Sequence, residues 1–463
     1  MICIQDDLKP ASLLTALEQF WSVSATCIAT VEDRYMSAAG APVFTVAGKY
    51  TSQGWTEWTQ GFQYGSALLQ FDATGEEKFL DSGRRQTVER MAPHLTHAGV
   101  HDHGFNNVST YGGLWRMHRE GRLTAERWEC HFYELALKIS GAVQAARWAD
   151  TEDGTGYIYS FNGPQSLFVD TIRSCRALAL AHQLGHVLMG EQDEPVSLLQ
   201  RMVEHATNTA RYNIWYGADR DAYDVRGRTA HESLFNVNNG AYRCCSTQQG
   251  YSPFSTWTRG QAWAMLGYAE LLEWLPTRPD AEFDIFGGRA AVENIFLQAA
   301  QATSDHYIAE SPTCGVPYWD TGAPGLVLLG DYRQRPAEPF NLHEPVDSSA
   351  AAIAAQGLMR LGSYLASQDD AAAARYRQAG LTVFATLLDE PFLSTDPSHE
   401  GLLLHSVYHR PNGWDYIPED QAIPCGESSM WGDYHLREAA LLVQRLARSE
   451  TYPTFFGPKM LIS

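Results

Sequence analysis

Apolar residues recur at three- and four-residue spacing in twelve separate segments of this 463-residue chain, and that periodicity constrains the fold more than any other feature. The segments cover 11–31, 60–70, 79–93, 105–119, 127–145, 166–184, 194–215, 258–275, 288–304, 348–366, 370–389 and 432–448. Each reads as a helix. Between them lie long stretches rich in Gly, Pro, Asn and aromatic residues, notably 149–165, 218–257, 306–347 and 390–431, with room for short hairpins. Strand–helix alternation with glycine-rich crossovers is missing, which disfavours a doubly wound sheet or a β/α barrel. No linker divides the chain, and no regular repeat marks a solenoid. The pattern predicts an all-α architecture over 1–463 as a single domain: a toroid of antiparallel helix pairs whose loops lengthen at one end and carry the site.

A formal charge of -20 argues against nucleic acid or an anionic membrane as partner, because the average field repels both. A small anionic substrate stays possible if a pocket brings its own positive groups. No run of eighteen apolar residues occurs, and the first ten residues lack the basic-then-apolar pattern of a secretory signal, so the chain reads as soluble and cytoplasmic. Eight scattered cysteines without a C-x-x-C pair read as reduced structural thiols. Thirteen tryptophans and 22 tyrosines supply the flat apolar faces that sugar sites use. Serine-hydrolase, nucleotide-hydrolase and dinucleotide-oxidoreductase motifs are absent.

Ser255-Thr-Trp-Thr-Arg-Gly-Gln-Ala-Trp263 sets two tryptophans, a cation and an amide around one glycine just before a helix. Tryptophan faces stack on a pyranose and an arginine fork pairs with a carboxylate, although a helix start with buried aromatics has the same residues. In His101-Asp-His-Gly-Phe105, Asp102 sits where an N-cap belongs; it serves either the first-turn amides or a site at the helix mouth, with His101 tuning its charge. His94, His97, His101 and His103 raise a metal alternative, but their spacing is poor for ligation, so neither metal nor cofactor is expected. Asp170 follows Ser166, Leu167, Phe168 and Val169. Apolar surroundings would raise its pKa and keep it protonated as a general acid; the alternative is an ordinary first-turn acid paired with Arg173. Loop residues Trp55, Trp58, His231, the run Thr247–Tyr251, Tyr318-Trp-Asp320 and the run Leu404–His409 add polar and aromatic material.

Together, Trp58-Thr-Gln-Gly-Phe62, His101-Asp-His-Gly-Phe105, Phe168-Val-Asp170, Thr247-Gln-Gln-Gly-Tyr251, Ser255–Trp263, Asp347-Ser-Ser-Ala-Ala-Ala352 and Trp431-Gly-Asp-Tyr434 resemble the unsaturated glucuronyl hydrolases, glycoside hydrolase family 88, and more distantly the unsaturated rhamnogalacturonyl hydrolases. The resemblance implies an (α/α)6 barrel and a metal-independent enzyme that takes a 4,5-unsaturated uronic acid off the non-reducing end of lyase-generated oligosaccharides. It implies hydration: Asp170 protonates C4 of the enol ether and then helps water add at C5, and Asp102 is the second essential carboxylate. His101, His231 and Gln249 are then expected to contact the unsaturated sugar and Arg259 to hold its carboxylate, with His231 adding positive charge. Trp58, Trp257 and Trp263 would form stacking walls and Tyr408 would join from a loop. Gln248 and Phe161 depart from the family pattern, which leaves the sugar beyond the scissile bond undefined. The alternatives are a conventional inverting glycosidase and a non-catalytic sugar-binding barrel.

Overall fold

The structure is a computed structural model describing residues 1–36, 40–54 and 56–458. Trp55 lies outside the described residues. Six inner helices form a closed ring: α2 (Gln60–Thr74), α4 (in three pieces, His103–Asn107, Val108–Gly112 and Gly113–Arg119), α6 (Thr171–Ser174 continuing as Arg176–Gln183), α8 (Thr258–Trp274), α10 (Ser348–Leu365) and α12 (Met430–Ala447). Each packs on the next, and α12 returns to α2. Six outer helices alternate with them in sequence: α1 (Leu14–Tyr35), α3 (Glu77–Arg90), α5 (Arg127–Ala146), α7 (Leu198–Asn213), α9 (Arg289–Glu310) and α11 (Asp370–Leu387). The architecture is therefore an (α/α)6 barrel.

Burial separates the two rings. Every residue from Gln60 to Ala73 in α2 is buried, as is every residue from Ser348 to Gly362 in α10, whereas α3 and α9 bury only a stripe. The inner helices approach so closely at their site end that side chains are excluded. A Cβ on Gly61 would lie 2.4 Å from the Asn106 backbone, and one on Gly104 2.4 Å from that of Ser174. Deeper in the barrel, buried Arg173 pairs with Glu270 (3.1 Å) and Glu438 (2.7 Å) and Arg176 with Glu270 (3.3 Å), tying α6 to α8 and α12. Removing one member would strand a buried charge at a cost of roughly 3–5 kcal/mol.

Two expectations are corrected. The segment 105–119 is not one regular helix: Ser109 and Thr110 hydroxyls bond back to the carbonyls of Phe105 and Asn106 (2.6 and 2.7 Å), and a π-helical turn ends at Gly112 before Gly113 restarts the helix. The segment 166–184 opens as a strand. Ser166–Phe168 pairs antiparallel with Glu232–Phe235, which pairs with Tyr242–Ser246, and only after Asp170 does the helix begin. Val169 donates to the His231 carbonyl (2.9 Å), so this small sheet brings His231 beside Asp170.

All six inner helices start at the same end of the ring. The residues immediately before them are Thr59, Asp102, Asp170, Trp257, Asp347 and Ser429. This boundary, more than any single loop, gathers the candidate residues in one place.

Candidate active site

At that end a cavity of about 280 Å³ is lined by Trp58, His101, Asp102, Asp170, Gln249, Trp257, Arg259, Trp263 and Tyr408, which are nine of the ten expected positions. His231 is the tenth. It stands behind the wall, against Phe168 (ring centroids 4.2 Å) and Trp257 (4.9 Å). The lining also includes Gln53, Glu57, Phe105, Phe161, Gln248, His409 and Trp414.

Neither candidate carboxylate caps its helix, so both side chains remain free for the cavity. Arg173 is not the partner of Asp170, being committed to Glu270 and Glu438. Instead, His101 Nε2 lies 3.6 Å from Asp102 Oδ1 and 3.5 Å from Asp170 Oδ1, so one imidazole bridges two acids. Burial alone would drive the His101 pKa down, but Asp102 and then Asp170 outweigh it and raise it. Asp102 is pushed up by burial, and Asp170 adds to this against the pull of His101.

Asp170 behaves in the opposite way to the sequence expectation. Burial pushes it up, yet the hydrogen bond and charge of His101, with a further pull from Arg259, bring it below the usual carboxylate range. Its apolar chain neighbours are not its spatial neighbours. Unliganded, the trio therefore keeps its proton on His101 and Asp170 ionised.

His231 also differs from the expectation. Its Nδ1 accepts the backbone N–H groups of Gln248 (3.0 Å) and Gln249 (3.5 Å), and burial pushes its pKa to about 4. The ring is neutral near pH 7, with the proton on a buried Nε2 that has no protein partner. It supplies a donor and holds the Gln248–Gln249 loop, but adds no charge.

Arg259 is thus the only arginine or lysine among the described residues of the lining. Its guanidinium sits between the rings of Trp257 (4.7 Å) and Trp431 (5.0 Å). It pairs with Asp347 (3.0 Å) and donates to the carbonyls of Val407 and Tyr408 and to Gln249 Oε1 (3.2 Å). Asp347 is itself the α10 cap, accepting from Ser349 N (3.1 Å) and Ala350 N (3.4 Å), which fixes the fork in orientation. A substrate carboxylate reaching this fork competes with Gln249. Below the fork, Trp58 stacks on Trp431 (5.1 Å, 27°), and Trp263 packs against Phe105 (4.9 Å).

Of the four histidines weighed as metal ligands, His94 bonds to Gln60 Oε1 (2.8 Å), while His103 bonds to Ser140 Oγ and the His97 carbonyl (both 3.1 Å). Among the described residues no group of three or more His, Cys, Asp or Glu is gathered to hold a metal. Gln53, Glu57 and Trp414 are the lining residues that sequence reasoning passed over. Glu57 lay inside a segment noted only for its tryptophans, and Trp414 in a loop without periodic signal.

No protein-family model matches the chain. It is 27% identical to the unsaturated glucuronyl hydrolase of Bacillus sp. (strain GL1) over 406 residues, which cover 86% of this chain and 89% of that protein. It is 24% identical to the unsaturated chondroitin disaccharide hydrolase of Streptococcus pneumoniae over 397 residues, 83% of this chain and 81% of that one. Its fold superposes on the crystal structure of the Bacillus sp. GL1 enzyme with a TM-score of 0.69 and 22% identity, covering 96% of this chain and 100% of the other. With the motif series and the barrel already in place, these likenesses identify the chain as a member of the unsaturated glucuronyl hydrolases, glycoside hydrolase family 88.

Proposed function

We propose that this protein releases a 4,5-unsaturated uronic acid from the non-reducing end of lyase-generated oligosaccharides by hydrating the enol-ether double bond. The observation that carries this reading is the Asp102–His101–Asp170 trio on the floor of an aromatic cavity in which Arg259 is the one arginine or lysine among the described lining residues. Such a site holds a proton next to an apolar sugar face and an anionic group.

The uronate docks toward Arg259, with Gln249 and the Gln248 amide as neighbours. Its negative charge and the expulsion of water raise Asp170, so the proton on His101 Nε2, 3.5 Å away, transfers to it. Asp170 delivers this proton to C4, and positive charge develops across C5 and the ring oxygen. The regenerated carboxylate takes a proton from water as the water oxygen bonds to C5. The resulting hemiketal opens and expels the rest of the oligosaccharide, with one water consumed. The proton that Asp170 took from water returns to His101 Nε2 as the product leaves, and Asp102 keeps His101 aligned for the next cycle. All eight cysteines are free thiols, which supports a reducing, cytoplasmic setting. Among the described residues no helix is long and apolar enough to cross a membrane.

The test is ultraviolet absorbance of unsaturated disaccharides mixed with wild-type protein and with folded Asp170→Asn. The expected result is loss of the band with wild type and a kcat lower by roughly 10²–10⁴-fold in the variant, the range for a removed general acid–base. A conventional glycosidase would cleave with the double bond intact. Retained turnover in Asp170→Asn would remove Asp170 from its assigned role.

A further inference from the structure

The cavity is divided by depth. Its inner wall of His101, Phe105, Asp170, Trp257, Arg259 and Trp263 is buried, whereas at the mouth Phe161 and Trp414 are 52% and 50% exposed. Both exposed rings are held from beneath. Phe161 lies on His101 (5.8 Å, 25°) and meets Phe168 edge-on (5.5 Å); Trp414 leans on Tyr408 (5.3 Å) and His409 (4.9 Å). The Asp415 carboxylate fixes the latter loop by accepting the N–H groups of Tyr408 (2.5 Å) and His409 (3.2 Å). Ordered aromatic faces left open to water at a cavity mouth are suited to stack on a sugar.

The polar groups at this mouth are neutral or negative. Glu57 accepts the Trp58 N–H (3.0 Å) and makes no ion pair among the described residues. Burial and then the nearby Asp102 push its pKa up, as expected where negative charge is already concentrated. Gln248 Oε1 is buried with no protein partner, an acceptor suited to a sugar hydroxyl. Burial pushes the His409 pKa to about 4, so that ring is neutral near pH 7. Arg259 is on the inner wall, where its fork is shared between Asp347 and the uronate.

Resting on the uronyl-hydrolase reading above, we infer that the mouth is a subsite for an uncharged sugar, with Trp414 and Phe161 as stacking platforms and Glu57 turning away sulfated partners. A sulfate placed here would lose water and meet Glu57 and Asp102, and no lysine or arginine among the described residues that line the mouth would pair with it.

The experiment compares kcat/KM, from loss of enol-ether absorbance, for unsulfated, 4-sulfated and 6-sulfated unsaturated chondroitin disaccharides. The uronate is identical in all three, so only the second sugar varies. Wild type is expected to favour the unsulfated compound by about tenfold or more over either sulfated one, the size of a single unpaired charge contact. Glu57→Gln is expected to narrow that ratio by about threefold or more, and Trp414→Ala to raise KM for the unsulfated compound about tenfold while kcat stays within about threefold, the loss of one stacking face. Equal wild-type rates on sulfated and unsulfated compounds overturn the inference, as does an unchanged ratio in folded Glu57→Gln. Loss of the band from none of the three overturns this subsite; loss from an unsaturated disaccharide of another linkage then keeps the uronyl-hydrolase reading, and loss from none of a broad panel overturns that too.

Discussion

Replacing Gly104 by alanine tests whether backbone contact sets the spacing of the two acids. A Cβ at this position falls 2.4 Å from Ser174 Cα and 2.5 Å from its carbonyl oxygen, where carbon atoms normally stay about 3.5–4.0 Å apart. The starts of α4 and α6 must therefore separate by about 1 Å or more. Overpacking of this kind costs about 1–3 kcal/mol. The bonds Gly104 N–H to Ser174 Oγ (2.8 Å) and Arg176 to the Gly104 carbonyl (3.0 Å) would be stretched as well, each worth about 1 kcal/mol. Asp102 lies just before Gly104, and Asp170 opens the helix that carries Ser174, so the same shift pulls His101 away from one of its carboxylates, now 3.6 and 3.5 Å distant. A misplacement near 1 Å lowers kcat about 100-fold. KM should stay within about threefold, because the Arg259 wall is built on α8 and α10 and does not share the strained contact. Disaccharide absorbance kinetics and thermal unfolding of Gly104→Ala measure both effects. Wild-type kcat with an unchanged melting temperature would show that the close approach does not control the site.

Three further outcomes are expected. His101→Gln removes the cation that holds Asp170 down, so the alkaline limb of the kcat/KM profile, which in wild type follows His101 above the ordinary histidine range, should move; superimposable profiles would reject a proton held on His101. Arg259→Lys cannot serve Asp347, two carbonyls and a substrate together, and the loss of one charge-assisted hydrogen bond, about 1.5–3 kcal/mol, should raise KM at least about tenfold in steady-state assays. Burial holds the His94 and His103 pKa values near 4 against 6.5 when free, so the unfolded chain binds the extra protons between these values. The stability is complete above pH 6.5 and is lost as pH falls toward 4, by about 3 kcal/mol per ring, so the urea midpoint should drop between pH 7 and pH 5; a constant midpoint refutes this.

The helices were legible because their apolar spacing is a local property. For Thr258–Trp274 and Arg127–Ala146 the expected starts coincide with the observed ones and the ends differ by one residue. The strand Ser166–Phe168 was not legible, since a three-residue apolar run matches strand and helix equally until Glu232–Phe235 pairs with it. The same missing partner hid the surroundings of Asp170. Chain neighbours suggested an apolar pocket, whereas the fold surrounds the carboxylate with His101, His231 and Arg259 from three other segments. His231 was misjudged as a cation because its acceptor role depends on two backbone amides of the 247–251 loop. Asp347 could have been found from its Asp-Ser-Ser-Ala pattern as a helix cap, but its pairing with Arg259 is purely tertiary.

The common orientation of the inner helices has an electrostatic consequence. Each α-helix carries about half a positive charge at its N-terminus. The long inner helices α2 and α8 begin beside the lining residues Trp58 and Trp257, so their partial charges point into the cavity, whereas that of α10 is met by its Asp347 cap. A chain of formal charge -20 can in this way present an attractive field to an anionic sugar without a lysine or a second arginine among the described lining residues. Because these charges belong to peptide groups, no titration removes them and no single side-chain substitution deletes them.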